Sequence, residues 1–529
     1  MTVRISQLKL PLDYEKTPLA AHAARALRCA GEDIISAAPR KKSVDARDKA
    51  DIRFVLTLDV ELRRTPRALP PNCEVVEPDA PRALPKPRML DKRPVVVGLG
   101  PAGLFAALTL AKAGLRPVVL ERGKPVDARA RDVRAFWAGG QLDPESNVQF
   151  GEGGAGAFSD GKLNTGIRDA RCREALEALF RAGAPEEILY EARPHVGTDR
   201  LPGVVRNLRE EIISLGGDVL FETRLTGLKV DGGHLRGAVA ERAGERLELD
   251  ADDLILAVGH SARDAFEMLF ALGVRMSPKP FSIGARIEHG QALIDRAQYG
   301  KSAGHPALPA ADYRLSAQLP GGRAAYTFCM CPGGTVVAAA SEPGGVVTNG
   351  MSPFARDGKN ANSALLVSVS PADFPGNDPL AGVRFQRQWE RAAFESGGGD
   401  FRAPAQLVGD FLAGRASAGA GDVRPSYLPG VEYTDLSKCL PDYAVASMRA
   451  AIALFDRRLK GFASPGAVLT GPETRSSSPL RIDRDARGEA SVGGLYPCGE
   501  GAGCAGGILS AAVDGIRAAE ALITDGAIV

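Results

Sequence analysis

Residues 93–122, RPVVVGLGPAGLFAALTLAKAGLRPVVLER, constrain the fold more than any other stretch of the chain. The β-branched run 95–97 predicts a short buried parallel strand. It leads into Gly98, Gly100 and Gly103, a G-x-G-x-x-G spacing. The first glycine permits a tight turn, the second lets backbone N–H groups approach a pyrophosphate, and the third lets helix and strand pack closely. Leu104, Leu108, Leu110 and Ala111 then give a helical face that stops at Gly114. A second strand, 116–120, delivers Glu121 to its end, where a carboxylate can accept both hydroxyls of a ribose. Strand, glycines, helix, strand and acid in this order predict a dinucleotide site on a helix N-terminus.

A chain of 529 residues predicts more than one domain. No apolar run approaches membrane-spanning length, and the start, MTVRISQLKLPLDYEK, carries no hydrophobic signal segment, so the expected location is the cytoplasm. The eight cysteines are scattered without a C-x-x-C pair, which argues against a disulfide framework, a zinc site or a disulfide-reductase pair, and no metal is expected. Cys329-x-Cys331 reads as two residues on one face of a strand.

Residues 1–64 read as a βαββ unit, a small split α/β sandwich, with a basic turn at 40–47 between strands. Prolines at 66, 70, 71, 78, 81, 85, 87 and 94 predict an extended linker over 65–93. Residues 1–93 hold 19 Lys and Arg against 13 Asp and Glu, which puts +6 there and −4 on the remainder. The expected architecture is α/β: a Rossmann-like domain built from 94–264 and 466–529, interrupted by an α+β substrate domain at 265–465. A glycine-dense loop at 151–162 has the opening spacing of a P-loop. Leu163 stands where that motif needs Ser or Thr for magnesium, so a loop closing over the cofactor is the better reading.

Near the C-terminus a strand ends at Gly499-Glu500, and a glycine-rich turn opens a helix whose free N–H groups point back at the site. Glu500 is placed to bind ribityl hydroxyls, and the helix beginning near Gly506 to stabilise negative charge at a flavin N1–O2 edge. An NAD site has no use for this remote acid, which selects FAD.

The runs GLGPAGLFAAL, VVLERG, SNVQFGEGGAGAFSDGKL, GAPEEIL, PHVGTD, IGARIEH, RSSSPLRI and YPCGEGAGCAGGI span roughly 90–529. In them the chain resembles a family of FAD-dependent dehydrogenases and oxidoreductases related to the glutathione-reductase-type and fumarate-reductase-type flavoproteins. The resemblance implies FAD contacts at Gly98, Gly100, Pro101, Ala102 and Gly103, at Glu121, Arg122 and Arg129, and at Gly154, Ala155, Gly156, Ser159, Gly161 and Lys162. It extends them to Leu225, Ala257 and Gly259, and to Gly499, Glu500, Gly506, Gly507 and Ile508. It supplies no substrate.

The expected activity is a flavin oxidoreductase transferring hydride between flavin N5 and a small, anionic organic molecule. A flavin hydroxylase ranks lower, because the closing run is Gly-Glu-Gly and not the Gly-Asp-Ala-Ala-His-like run of those enzymes. An RNA-modifying or RNA-associated protein using the basic N-terminal unit is the competing class, though no aromatic platform accompanies it and nucleic acid is not the expected partner. A non-catalytic flavoprotein scaffold is the third class. One nucleotide fold leaves no dedicated NAD(P)H domain, so a nicotinamide donor would visit the substrate side. Candidate acid-base and anion-binding groups are His195, Arg286, His289 and Arg475. Arg286 and His289 lie an odd number of residues apart on one expected strand, so only one of them can face a ligand unless a bulge intervenes.

Overall fold

A computed structural model describes residues 1–64, 68–77 and 82–524. Its centre is a five-stranded parallel sheet in the order Leu495–Pro497, Leu254–Leu256, Val95–Val97, Val118–Leu120, Asp218–Leu220. The strand period divides the side chains between two cores. Val96 and Val119 join the helices Pro101–Lys112 and Ile508–Thr524, while Val95, Val97 and Leu120 meet Leu225, Leu228, Ala238 and Ala240 of a three-stranded antiparallel sheet. The two helices touch closely: a Cβ on Gly515 would lie 2.0 Å from the Ala102 carbonyl oxygen. Asp218–Leu220 of the parallel sheet is followed directly by Thr223–Asp231 of the antiparallel sheet, because Glu222 turns the backbone at φ 53° between them.

The interrupting domain is a seven-stranded mixed sheet, ordered Ser316–Gln318, Ala324–Cys331, Asn360–Val369, Phe281–Gly290, Val468–Glu473, Ala403–Leu407, Val431–Tyr433. Val468–Glu473 is an interior strand of it, so the expected boundary at 465 falls one strand too early. Val468–Glu473 pairs with Phe281–Gly290 and Ala403–Leu407, and not with the parallel sheet. Met276–Pro278 and Leu480–Ile482 pair antiparallel where the chain leaves the parallel domain and returns to it.

At the N-terminus β1 (Thr2–Leu10), α1 (Leu19–Leu27), β2 (Ile34–Asp45) and β3 (Arg53–Leu62) form a helix-covered sheet, with a further edge strand β4 (Cys73–Val76) on β1. β4 lies inside the span expected to be linker; the prolines flank it, and Cys73–Val76 itself contains none, so its N–H groups are free for the ladder. The basic segment 40–47 is a correction as well. Residues up to Asp45 continue β2, paired to β3 as far as Asp45 opposite Arg53, and Pro39 is accommodated at a register shift.

That strand docks the small domain. The Lys42 N–H donates to the Tyr190 carbonyl at 2.7 Å, its own carbonyl accepts from Ala192 at 2.8 Å, and its ammonium lies 3.5 Å from Glu191 and 5.0 Å from the Phe54 ring centre. Arg47 pairs with Asp45. Two charges of the basic segment, on Lys42 and Arg47, are thus paired within the chain.

Candidate FAD and substrate cavity

A cavity of about 1070 Å³ runs from the glycine turn after Val95–Val97 to the face of the seven-stranded sheet. That is at the top of the roughly 300–1,000 Å³ common for small-molecule sites. Of the expected cofactor contacts, all line it except Gly103 and Arg129.

The three glycines of the turn do different work. Gly98 sits at φ +94°, where a Cβ would lie 2.3 Å from the Ala257 carbonyl. A Cβ on Gly103 would meet the Gly98 carbonyl at 1.8 Å, so this residue lets helix and strand pack and stands behind the wall. Gly100 differs: its backbone is ordinary, φ −74°, and a Cβ would meet only the Gly154 Cα at 3.7 Å. The fold itself does not need glycine there; the open cavity does.

Gly100 is also the N-cap of Pro101–Lys112 and makes no side-chain cap bond, so the first N–H groups of the helix are left for a ligand. The start of Ile508–Thr524 reaches the same cavity through Gly506, Gly507 and Ile508. Two helix N-termini converging on one space suit a ligand with a pyrophosphate and a second electron-rich edge, which is what FAD presents. The residues fit the cofactor.

Glu121 is more constrained than its sequence position suggests. Its carboxylate accepts from Leu99 N at 2.8 Å, Gly123 N at 2.9 Å and Gly151 N at 3.0 Å. Three of about four lone-pair directions are thereby used on the loops of the turn, leaving room for a single ribose hydroxyl. Arg122 pairs with Glu145 at 2.7 Å and Asp264 at 2.9 Å, and its Cζ lies 4.0 Å from the Phe150 ring centre. Arg129 does not reach the cavity. It is fully buried and donates to the carbonyls of Asn147, Val148, Gly151 and Glu152, so it braces the 147–152 loop from behind.

Lys162 lines the cavity 2.8 Å from Asp160, which Arg356 grips from the other side. His195 forms an isolated bridge with Lys162, stacks on Phe354 and bonds the Phe354 carbonyl at 3.0 Å; its ring does not line the cavity, and burial lowers its pKa. Its place is behind Lys162.

Arg286 and His289 both leave the candidate list. His289 is buried against Phe462, whose carbonyl it meets at 2.9 Å. Arg286 points to the other face, as strand alternation requires. All five of its N–H donors are used: Glu473 at 2.5 and 3.0 Å, Cys329 O at 2.9 Å, Asn362 at 3.2 Å and Asn349 at 2.9 Å. Glu473, Asn349 and Cys329 line the cavity, so Arg286 is a positioning residue beneath its floor.

Arg475 lines the cavity, but its guanidinium is bidentate to Glu390 at 3.0 and 2.8 Å and donates to Ser261 and Ser341. Glu390 also takes Arg263 at 2.9 and 2.7 Å and Thr474 at 2.7 Å. Arg475 is therefore part of a buried ion network, which takes four of its five N–H donors. His260, next to Gly259 at the end of Leu254–Leu256, lines the cavity beside this network; burial, then Arg475 and Arg263, push its pKa down to about 3, so it is neutral at pH 7. Sequence reading passed it over, although a histidine directly after a strand-ending glycine is a usable signal.

Glu500 lines the cavity, and burial pushes its carboxyl up to about 7 while Lys279 pulls the other way. The ordinary value is 4.5, so in flavin-free protein the favourable share is complete below pH 4.5 and is lost as pH rises through about 7. At roughly 1.4 kcal/mol per unit this amounts to about 3 kcal/mol. The thermal midpoint of flavin-free Glu500→Gln, relative to the parent, should therefore climb between pH 4.5 and 7 and level off above. A constant difference would mean that Glu500 is ordinarily ionised.

Among the described residues no group of three His, Cys, Asp or Glu side chains could hold a metal ion, and no helix is long and apolar enough to cross a membrane.

Three family models match the chain: an FAD-dependent protein C-terminal domain-like model over 280–476, an FAD binding domain over 93–159, and a domain of unknown function over 2–61. A protein of Clostridium beijerinckii, described only as uncharacterized, is 50% identical over 530 residues, covering 99% of each chain. Among solved structures, a flavoprotein/dehydrogenase from Cytophaga hutchinsonii is 14% identical over 82% of this chain and 78% of its own, with a TM-score of 0.36. A geranylgeranyl bacteriochlorophyll reductase-like protein from Thermoplasma acidophilum is 14% identical over 81% and 77%, at 0.38. An E. coli quinol fumarate reductase chain is 13% identical over 82% and 71%, at 0.34. With a near full-length relative and these family models, the chain belongs to a family of FAD-dependent proteins, and its cofactor is FAD.

Proposed function

We propose that the protein is an oxidoreductase that exchanges a hydride between flavin N5 and a small anionic organic molecule. The observation that carries this reading is the continuity of the cavity. One space joins the two helix N-termini to a wall of Tyr326, Phe328, Cys329, Asn349 and His260, so a cofactor and a second molecule can share it. Bound FAD supplies the two-electron chemistry. The chain's own part is to orient and to exclude water. Tyr326 and Phe328 offer apolar surface, and neutral His260 can hold or pass one proton at an imidazole nitrogen. The exposed Arg314 and Arg458 stand on the rim of the same wall and favour an anion on approach.

Anaerobic photometry of purified protein against NADH, NADPH and a panel of organic acids and amines tests this. Bleaching of the flavin by an acid, or by a nicotinamide followed by reoxidation with an acid, is expected. Reduction only by neutral amines would remove the anionic class, and a flavin that nothing in the panel reduces would favour a scaffold. A chain beginning at Arg82 keeps the Arg82–Glu174 and Arg88–Asp253 pairs and should retain FAD at a lower thermal midpoint. Loss of FAD from a folded chain of that length would make the N-terminal domain part of the site.

A further inference from the structure

Sequence reading placed Cys329 and Cys331 on one face of a strand. In the structure a bulge separates them. Between Phe328 opposite Ala364 and Cys331 opposite Asn362, two residues, Cys329 and Met330, stand against the single Ser363. Cys329 adopts φ 43°, a left-handed conformation that costs a side-chain-bearing residue on the order of 1–3 kcal/mol. Bulges beside sites re-aim a side chain, and here Cys329 lies in the cavity wall while Cys331 is buried behind it.

Around this pair the structure gathers cations. The Lys162 ammonium is 3.9 Å from Cys331 Sγ, and the Cys331 thiol lies 3.2 Å from the Cys329 carbonyl, which also accepts from Arg286 at 2.9 Å. Lys162 and Arg286 favour a thiolate, and Asp160, Glu473 and Glu500 oppose it. The hydrogen bond with Cys331, against the opposing effect of burial and helped by Lys162 and Arg286, holds the Cys329 pKa below that of a free thiol, while Cys331 moves up. The other cysteines with a shifted pKa, Cys29, Cys73, Cys172, Cys439, Cys498 and Cys504, all move up, chiefly through burial.

Resting on the reading of this cavity as the substrate site, we propose that Cys329 is a nucleophilic thiolate facing the substrate, with Cys331 and Lys162 as its supporting donors, and that the substrate class carries a carbon–carbon double bond conjugated to a carbonyl. In the step this chemistry permits, the sulfur electron pair forms a bond to the β-carbon. The π pair moves toward the carbonyl oxygen, and the α-carbon takes a proton that Lys162 or Cys331 gives up. Nothing is oxidised or reduced and no group leaves, so no co-reactant is needed. The soft, polarisable nucleophile and a cation able to give a proton are the two parts that such an addition requires.

N-ethylmaleimide, itself an unsaturated carbonyl compound, is the probe. Full-length FAD-containing protein is treated between pH 5.5 and 9, and each cysteine's adduct is quantified by peptide mass spectrometry. Cys329 should react at least tenfold faster than any other cysteine at pH 6.5, with a midpoint a unit or more below the roughly 8.5 of a free thiol. Cys331→Ala should raise that midpoint, and so should Lys162→Met, with Lys162→Arg restoring it; a purely structural cysteine would show none of these shifts. Cys329 reacting no faster than the partly exposed Cys29, or a midpoint that ignores both the Cys331 and Lys162 changes, would overturn the proposal. Flavin content is read separately by absorbance. Protein that carries no FAD counts against the cofactor reading, whereas an unreactive Cys329 in FAD-loaded protein counts against the thiolate alone.

Discussion

Gly100→Val should give a folded chain that purifies without flavin. The substituted position has an extended backbone that any residue adopts, and its Cβ would meet only the Gly154 Cα at 3.7 Å. The cost to the fold is the weaker N-cap, on the order of 1 kcal/mol. The branched side chain instead occupies the space in front of the first N–H groups of Pro101–Lys112, where a pyrophosphate must sit. Losing those contacts and adding a clash should weaken FAD by far more than a hundredfold. Gly103→Ala is the informative contrast. Its Cβ would be driven to 1.8 Å from the Gly98 carbonyl, so that variant should fail as a fold and not only as a binder. Circular dichroism with absorbance near 450 nm distinguishes the two. A yellow Gly100→Val protein would mean that the turn does not hold the cofactor.

Glu390→Gln should be the most destabilising conservative change in the chain. Burial alone would raise the Glu390 pKa, but Arg263 and Arg475 overcome it and hold the carboxyl well below the usual carboxylate range. Removing the charge leaves two guanidinium groups, 1% and 8% exposed, with only the partly exposed Glu342, which already pairs with Arg263, to balance them. Breaking a buried pair in this way costs about 3–5 kcal/mol. Trp389 is adjacent and is one of two tryptophans, so urea unfolding followed by fluorescence reports on the right region. A midpoint unchanged from the parent would show that water or rearrangement compensates the network. Arg475→Ala should resemble Glu390→Gln in that measurement, because the structure makes Arg475 a bidentate partner of Glu390.

The parts legible in the sequence were those whose cause is local. Strand, glycine turn, helix and acid at 93–122 are each set by neighbours a few residues away, and the second helix N-terminus at Ile508 carries its own glycine signal. What stayed hidden depends on distant partners. Arg286 and Arg475 looked like anion grips because Glu473 and Glu390 stand 187 and 85 residues away, and no pattern near either arginine names its partner. Arg129 looked like a cofactor contact because burial is not written into a basic helix. β4 was missed because flanking prolines outweighed a four-residue ladder. Cys329 was read as an ordinary strand residue because alternation assumes a regular ladder, and a bulge breaks that assumption without leaving a mark on residue type.

The released chromophore tests most directly whether this cavity holds one FAD. Purified full-length protein is denatured, the supernatant is separated by chromatography, and the flavin is quantified against protein. Glu121 and the Gly98–Gly103 turn address the adenosine and pyrophosphate half, which FMN lacks. The expected result is FAD, close to one per chain. FMN in its place, or a colourless protein that cannot be reconstituted with FAD, would contradict the account.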